Sequence, residues 1–369
     1  MVQCFIFAFD FALKKILMEE INMKRLIALI LAVVLPITVA FGCKQTDNEQ
    51  SGTEQPQNTQ SGADATKKPS VICTIFPQYD WVRQILGENS DNFDLTLLLD
   101  NRIDLHNYQP SMGDMVKISE CDLFIHVGGE SDGWVDAVLR QSSNPNMVVI
   151  NLLDILGDDV KQEEIIEGME YDDDDDFDDN HGDDSEDEDD CEYDEHVWLS
   201  LINAQTFCAV IADALTALDA DNATLYYDNL IMYIQELSRL DSDYRAVVNE
   251  ANVRTLLFGD RFPFRYLVDD YGIDYFAAFP GCSAETEASF ETILFLSDKI
   301  DELGLGSIMV TESADQSIAR TIVNNTSAKN QQIHVLNAMQ SITASDVRDG
   351  TSFISIMRSN LDVLKGVLT

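Results

Sequence analysis

The stretch DNATLYYDNLIMYIQELSRLDSDYRAVVNE, residues 221–250, decides how the chain is organised. It contains neither glycine nor proline. Within it Tyr226, Leu230, Tyr233, Leu237, Leu240, Tyr244 and Val247 recur at alternating steps of four and three, the spacing of one apolar stripe on an α-helix. Asp221 and Asn222 offer an N-cap. A helix over 221–250 is about 40 to 45 Å long at ~1.5 Å per residue. That exceeds what one α/β domain needs, so the stretch predicts a rod running along two.

On either side of the rod, strand-like and helix-like segments alternate. Upstream, strands are expected over 71–76, 93–99, 123–127 and 147–151, with helices over 79–86, 111–119, 134–140 and 203–218. Downstream, strands are expected over 255–259, 274–278, 307–311 and 332–336, with helices over 266–270, 287–303, 315–328 and a closing helix over 346–367. Short apolar strands in such alternation imply parallel sheets covered on both faces. The expected fold is therefore α/β: two lobes, each a mostly parallel β-sheet flanked by helices, joined by one long rigid helix. The boundaries are an N-terminal lobe over 70–220, a linking helix over 221–250 and a C-terminal lobe over 251–369. Ligands of open α/β sheets bind beyond the carboxyl ends of the strands, which places a site in the cleft between the lobes.

Charge narrows the partners. The 369 residues carry a net charge of −43, and 18 of the acids fall in the 26 residues 170–195, immediately before His196. Such a run has too little apolar surface to fold alone and reads as a solvated loop. Asp174, His181 and Asp184 within it are candidates for gathering a divalent cation and passing it to an ordered site. The remainder is still strongly acidic, which argues against nucleic acid, whose recognition needs clustered Lys and Arg.

The N-terminus reads as a targeting segment. Met23-Lys24-Arg25 opens a basic start, 26–39 is apolar but short for a membrane span, and Ala40-Phe41-Gly42-Cys43 fits a bacterial lipoprotein cleavage site. Residues 1–42 are thus an extension and signal peptide, with Met1 or Met23 as start. Cys43 is the lipid anchor and 43–69, rich in Gln, Ser, Thr and Gly, a flexible tether. With Cys4 in the extension and Cys43 lipidated, Cys73, Cys121, Cys191, Cys208 and Cys282 remain, an odd number without a CxxC pair, which gives no zinc-finger framework.

Five histidines are available: His106, His126, His181, His196 and His334. His106 and His196 stand in loops where ligands of an α/β sheet belong, and two imidazoles with one or two carboxylates suit Zn, Mn or Fe. His126, at a strand end, reads as packed or half exposed, and His334, at a strand's start, as a surface residue. The segments Thr74 to Trp81 and Asp104 to Pro110, Leu123-Phe124-Ile125 before Gly128-Gly129, Asp194-Glu195-His196-Val197-Trp198-Leu199 and Tyr271-Gly272 together resemble the zinc and manganese solute-binding lipoproteins of bacterial ABC importers. The resemblance runs from about Ser70 to the C-terminus and implies a metal held between two lobes by His106 and His196.

The chain also departs from that pattern. The third ligand of the family, His or Glu after the first strand of the second lobe, has no counterpart in Leu257 to Phe262, where Asp260 is the best substitute. No acid stands in 337–341, so Glu285, preferred over Glu287, is expected to supply the missing oxygen. Glu195 replaces a Pro and Ser200 an Asp. The resemblance implies capture of Zn2+, with Mn2+ or Fe2+ as the alternative. It further implies delivery to an ABC permease and its ATPase subunit, by a monomer anchored through lipid to the outer face of the bacterial cytoplasmic membrane. A surface zinc hydrolase is the reading from another class, opposed by the absence of HExxH and of G-x-S-x-G. An adhesin is compatible with the anchor but has no feature of its own, and no enzymatic activity is expected.

Overall fold

The computed structural model describes residues 67–100, 102–170, 193–283 and 287–369. Cys43 with the signal segment and most of the tether, Asp174, His181 and Asp184 of the acidic run, and Glu285 lie outside the described residues.

Two parallel four-stranded sheets organise the described chain. The first runs β2-β1-β3-β4, built from β1 (Ser70–Cys73), β2 (Asp94–Leu97), β3 (Leu123–His126) and β4 (Val148–Asn151). The second runs β6-β5-β7-β8, built from β5 (Thr255–Phe262), β6 (Asp274–Pro280), β7 (Ser307–Thr311) and β8 (Gln332–Leu336). One strand order therefore serves twice, with β1 and β5 in equivalent inner places and β2 and β6 at equivalent edges. Helices α1 (Phe76–Leu86), α2 (Met112–Glu120), α3 (Val135–Leu139), α4 (Leu152–Leu156) and α5 (Leu201–Leu218) accompany the first sheet. After the linking helix α6 (Ala223–Asn249) come α7 (Arg265–Tyr271), α8 (Phe290–Leu303), α9 (Ser317–Asn325), α10 (Ala344–Arg348) and α11 (Phe353–Leu368).

Local chemistry explains most of the boundaries. Pro77 lies in the first turn of α1, where its missing N–H is no loss. Gln78 Oε1 accepts from Thr74 N at 3.0 Å and Ile75 N at 3.3 Å, closing the strand-to-helix turn. Ser111 and Asp114 form a capping box on α2, and Ser200 Oγ accepts from Asn203 N at 3.0 Å to start α5. The closing helix expected over 346–367 is instead two, α10 and α11, parted at 349–352, where Ser352 caps the restart.

Helix α6 has 27 residues and is roughly 40 Å long. It buries Tyr226, Leu230, Tyr233, Leu237, Leu240, Tyr244 and Val248. The last differs from the expected Val247 because a 3.6-residue turn drifts about 20° per seven residues against a strict 3.5 repeat. Asn222 makes no side-chain cap bond; its amide donates to Asp219 Oδ2 at 2.8 Å.

The closing helix α11 crosses back onto the first lobe. Phe353 packs edge-on against Trp81, whose other neighbour is Phe207, at ring separations of 5.3 and 5.7 Å. Phe353 N donates to buried Asp80 Oδ2 at 2.9 Å, and Tyr244 of α6 donates to Met357 O at 2.6 Å. One apolar core consequently extends from Val71 to Leu368, with a smaller cluster around Leu257, Leu296, Ile308 and Ile322 beneath the second sheet. A close-packed core shared by both halves opposes a wide hinge between them.

Candidate metal centre

His106 lies in the loop that leaves β2. Asp104 caps a single turn, Leu105–Asn107, by accepting from His106 N at 3.1 Å, which fixes the imidazole's starting point. Its Nδ1 stands 2.8 Å from Ser131 Oγ and 3.5 Å from Glu195 Oε2, leaving Nε2 to face the cleft. His196 is held in the same manner from the other direction. Asp194 Oδ1 accepts from His196 N at 2.8 Å and lies 3.1 Å from Nδ1 of the fully buried ring. The two Nε2 atoms meet at 3.2 Å. A tetrahedral ion with Zn–N bonds near 2.05 Å sets two nitrogens about 3.3 Å apart. The pairing of each Nδ1 with an oxygen is the arrangement that directs a histidine's other nitrogen at a metal.

Among the described residues, one group of three metal-ligating side chains converges: His106, His196 and Cys282, each with a donor atom within 4.8 Å of the others. Asp260, expected in that place, is elsewhere. Its Oδ2 accepts from Thr311 N at 3.0 Å and from Thr311 Oγ1, at the end of β7. The reason is a bulge in the strand. Strand β5 runs on to Phe262, but its pairing with β6 shifts register between Phe258 and Arg261, and Asp260 within the bulge turns to β7. Arg261 therefore takes the cleft side, donating to Asp104 Oδ2 at 2.6 Å and to Ser283 O at 3.4 Å.

The loop carrying Ala338 and Gln340 completes the surroundings. Gln340 Nε2 lies 3.1 Å from His196 Nε2, so a half-turn of the amide would place oxygen there. Glu312 holds that loop, accepting from Ala338 N at 2.8 Å and Gln340 N at 2.9 Å. Trp198, next but one to His196, donates to Ala338 O at 2.9 Å and joins the same loop to the ligand turn.

Electrostatics sets the two rings apart. Burial, then the neighbouring His196, pushes His106 down to about 3. Burial also works against a charge on His196, but the Asp194 carboxylate, with Glu195 and Asp104, outweighs it and holds that ring above the ordinary imidazole value. Burial raises Glu195, and its Oε2 is enclosed with no hydrogen-bond partner among the described residues. The Cys282 thiol is raised by burial and by Glu163, Asp194 and Glu195.

The structure thus brings His106 and His196 together and leaves Asp260 on Thr311. His126 is tied to Asp132 Oδ2 at 3.1 Å, and His334 lies in β8. The described ends of the acidic run are structured: Glu170 Oε2 accepts from Ser289 N at 2.8 Å, and Asp194 and Glu195 are buried. Asp194 and Glu195 support the site and Glu170 ties the chain to the start of α8, so these ends are not part of a solvated loop. Sequence reasoning missed Ser131, Glu195, Arg261, Cys282 and Gln340 as neighbours of the rings. The one available signal was Cys282 itself, an unpaired cysteine after a glycine in a strand-end loop.

A family profile described as zinc-uptake complex component A, periplasmic (ZnuA), matches residues 71–367. Zinc-binding protein AdcA of Streptococcus pyogenes is 25% identical over 307 residues, covering 82% of this chain and 56% of that protein, so the chain spans about half that relative's length. The high-affinity zinc uptake system protein ZnuA of Bacillus subtilis is 29% identical over 312 residues, covering 84% of this chain and 91% of the other. The zinc-bound ZnuA-like domain of Streptococcus pneumoniae AdcA superposes with a TM-score of 0.61 at 26% identity, over 82% of this chain and 99% of that one. With two equivalent parallel sheets, a long linking helix and a profile match over most of its length, the chain belongs to the family of zinc-uptake complex component A.

Proposed function

We propose that this protein captures a zinc ion between its lobes and delivers it to the permease of an ABC importer, which an ATPase subunit drives. The observation that carries the reading is the meeting of His106 Nε2 and His196 Nε2 at 3.2 Å in a largely buried centre, each ring oriented through its Nδ1. The names of the relatives, zinc-binding and zinc-uptake proteins, point the same way. The ion is cargo, and no bond chemistry is assigned to the chain. Both nitrogens must be free of protons to hold it, so capture weakens as pH falls. In this reading Cys43 carries the lipid that keeps the monomer at the outer face of the cytoplasmic membrane. The acidic run with Asp174, His181 and Asp184 concentrates cations for capture. A core shared across the lobes favours small loop movements on loading over wide closure. Competition against a chromophoric zinc chelator tests the assignment: the full-length protein takes one ion tightly, and wild-type affinity in His106→Ala or His196→Ala would discard it.

A further inference from the structure

We infer that Cys282 supplies a thiolate as the third protein ligand to the captured ion, making this a His2Cys site that favours zinc over manganese. The inference rests on the capture reading above and adds the identity of the donor from the second lobe.

Three observations converge on it. The sulfur belongs to the single described cluster of ligating atoms, within 4.8 Å of the two imidazole nitrogens. Gly281 lets the backbone touch the site: a Cβ there would stand 3.1 Å from His196 Cε1 and 2.9 Å from Phe262 O, so only glycine admits the chain this close and aims the next side chain at the ring. The loop is braced on both sides, Cys282 N donating to Glu163 Oε1 at 2.9 Å and Arg261 joining Ser283 O to Asp104 of the His106 loop. Asp260, the only acid in β5, is already engaged by Thr311, so the second lobe's strand ends offer sulfur at the place where an oxygen was expected.

The chemistry follows from donor softness. Manganese and magnesium prefer oxygen ligands, whereas thiolate with imidazole suits zinc, at Zn–S about 2.3 Å and Zn–N about 2.05 Å. On loading, the Cys282 S–H proton leaves to solvent and an S–metal bond forms, so one positive charge replaces another in part. The fourth position is open to water or to the Gln340 amide oxygen. The resulting ion is bonded to His106 after β2, to His196 before α5 and to Cys282 after β6, and so ties both sheets together.

Cobalt substitution tests this. Co2+ is added to the full-length protein in detergent, in a Cys191→Ser background, and compared with Cys282→Ser and Cys282→Ala in the same background. The expected wild-type spectrum has a near-ultraviolet thiolate-to-cobalt charge-transfer band at one equivalent. Both variants should lose that band yet still bind cobalt more weakly through the two histidines, and their preference for zinc over manganese should fall roughly a hundredfold or more. Stoichiometric cobalt binding without the band in wild type, or a band that survives in Cys282→Ala, overturns the thiolate while leaving capture standing. If no cobalt or zinc binds at all, capture itself fails.

Discussion

The strands β2 and β6 hold equivalent edges of two sheets with one strand order, and the chain leaving each delivers a donor to the same point. The loop after β2 brings His106, locked by Asp104 and Ser131; the loop after β6 brings Cys282, which reaches the centre because Gly281 has no side chain. Topology is repeated and chemistry is not. A cleft between duplicated sheets fixes where ligands arrive, while single residues at the strand ends decide which atoms they present.

Removing a first-lobe ring breaks this comparison most severely. His106→Ala or His196→Ala should lower zinc affinity by roughly a thousandfold, about 4 kcal/mol, read by chelator competition, with unfolding of the metal-free protein little changed. The two glycines that admit the chain to the site should part company. Gly129 has φ +79°, and a Cβ there would meet Glu195 Oε1 at 2.3 Å, so Gly129→Ala should cost about 1–3 kcal/mol of stability in denaturant unfolding. Gly281→Ala should act chiefly on zinc affinity, through displacement of His196 and Cys282. Equal effects of the two on both quantities would show that the loops are not specialised as described.

A smaller effect concerns Ser200, which caps α5 and donates to Asp270 Oδ2 of the second lobe at 2.6 Å. Burial raises Asp270 to about 6, against the ordinary 3.8. The fold therefore favours the protonated form: that stabilisation is full below the unfolded value and is lost as pH rises through about 6. Asp270→Asn should then raise stability by roughly 1–2 kcal/mol at pH 7.5 and leave it unchanged near pH 4, in paired unfolding curves. Smallest at equilibrium is the acidic run. A neutral linker in place of residues 172–190 should slow zinc association several-fold at low salt and little at high salt, by stopped-flow mixing.

The long helix was legible because a stripe of seven apolar residues without Gly or Pro admits one period, and only its last member shifted, from Val247 to Val248. His106 and His196 were legible because each falls at a loop position set by strand order. The second lobe's donor was not, since β5 carries a bulge between Phe258 and Arg261, and the shift breaks the alternation by which the facing of Asp260 and Arg261 would be read. Nor did residues 337–341 reveal that Glu312, one residue past β7, would brace them. The break between α10 and α11 was marked by Gly350, yet an apolar pattern continued across it and was read as one helix.

The central claim is that one ion is shared by imidazoles from two distant segments. Native mass spectrometry of the full-length protein with one equivalent of zinc tests it most directly. One zinc per chain is expected in the wild type and none in His106→Ala or His196→Ala at the same concentration. A zinc count that neither substitution changes would contradict the account.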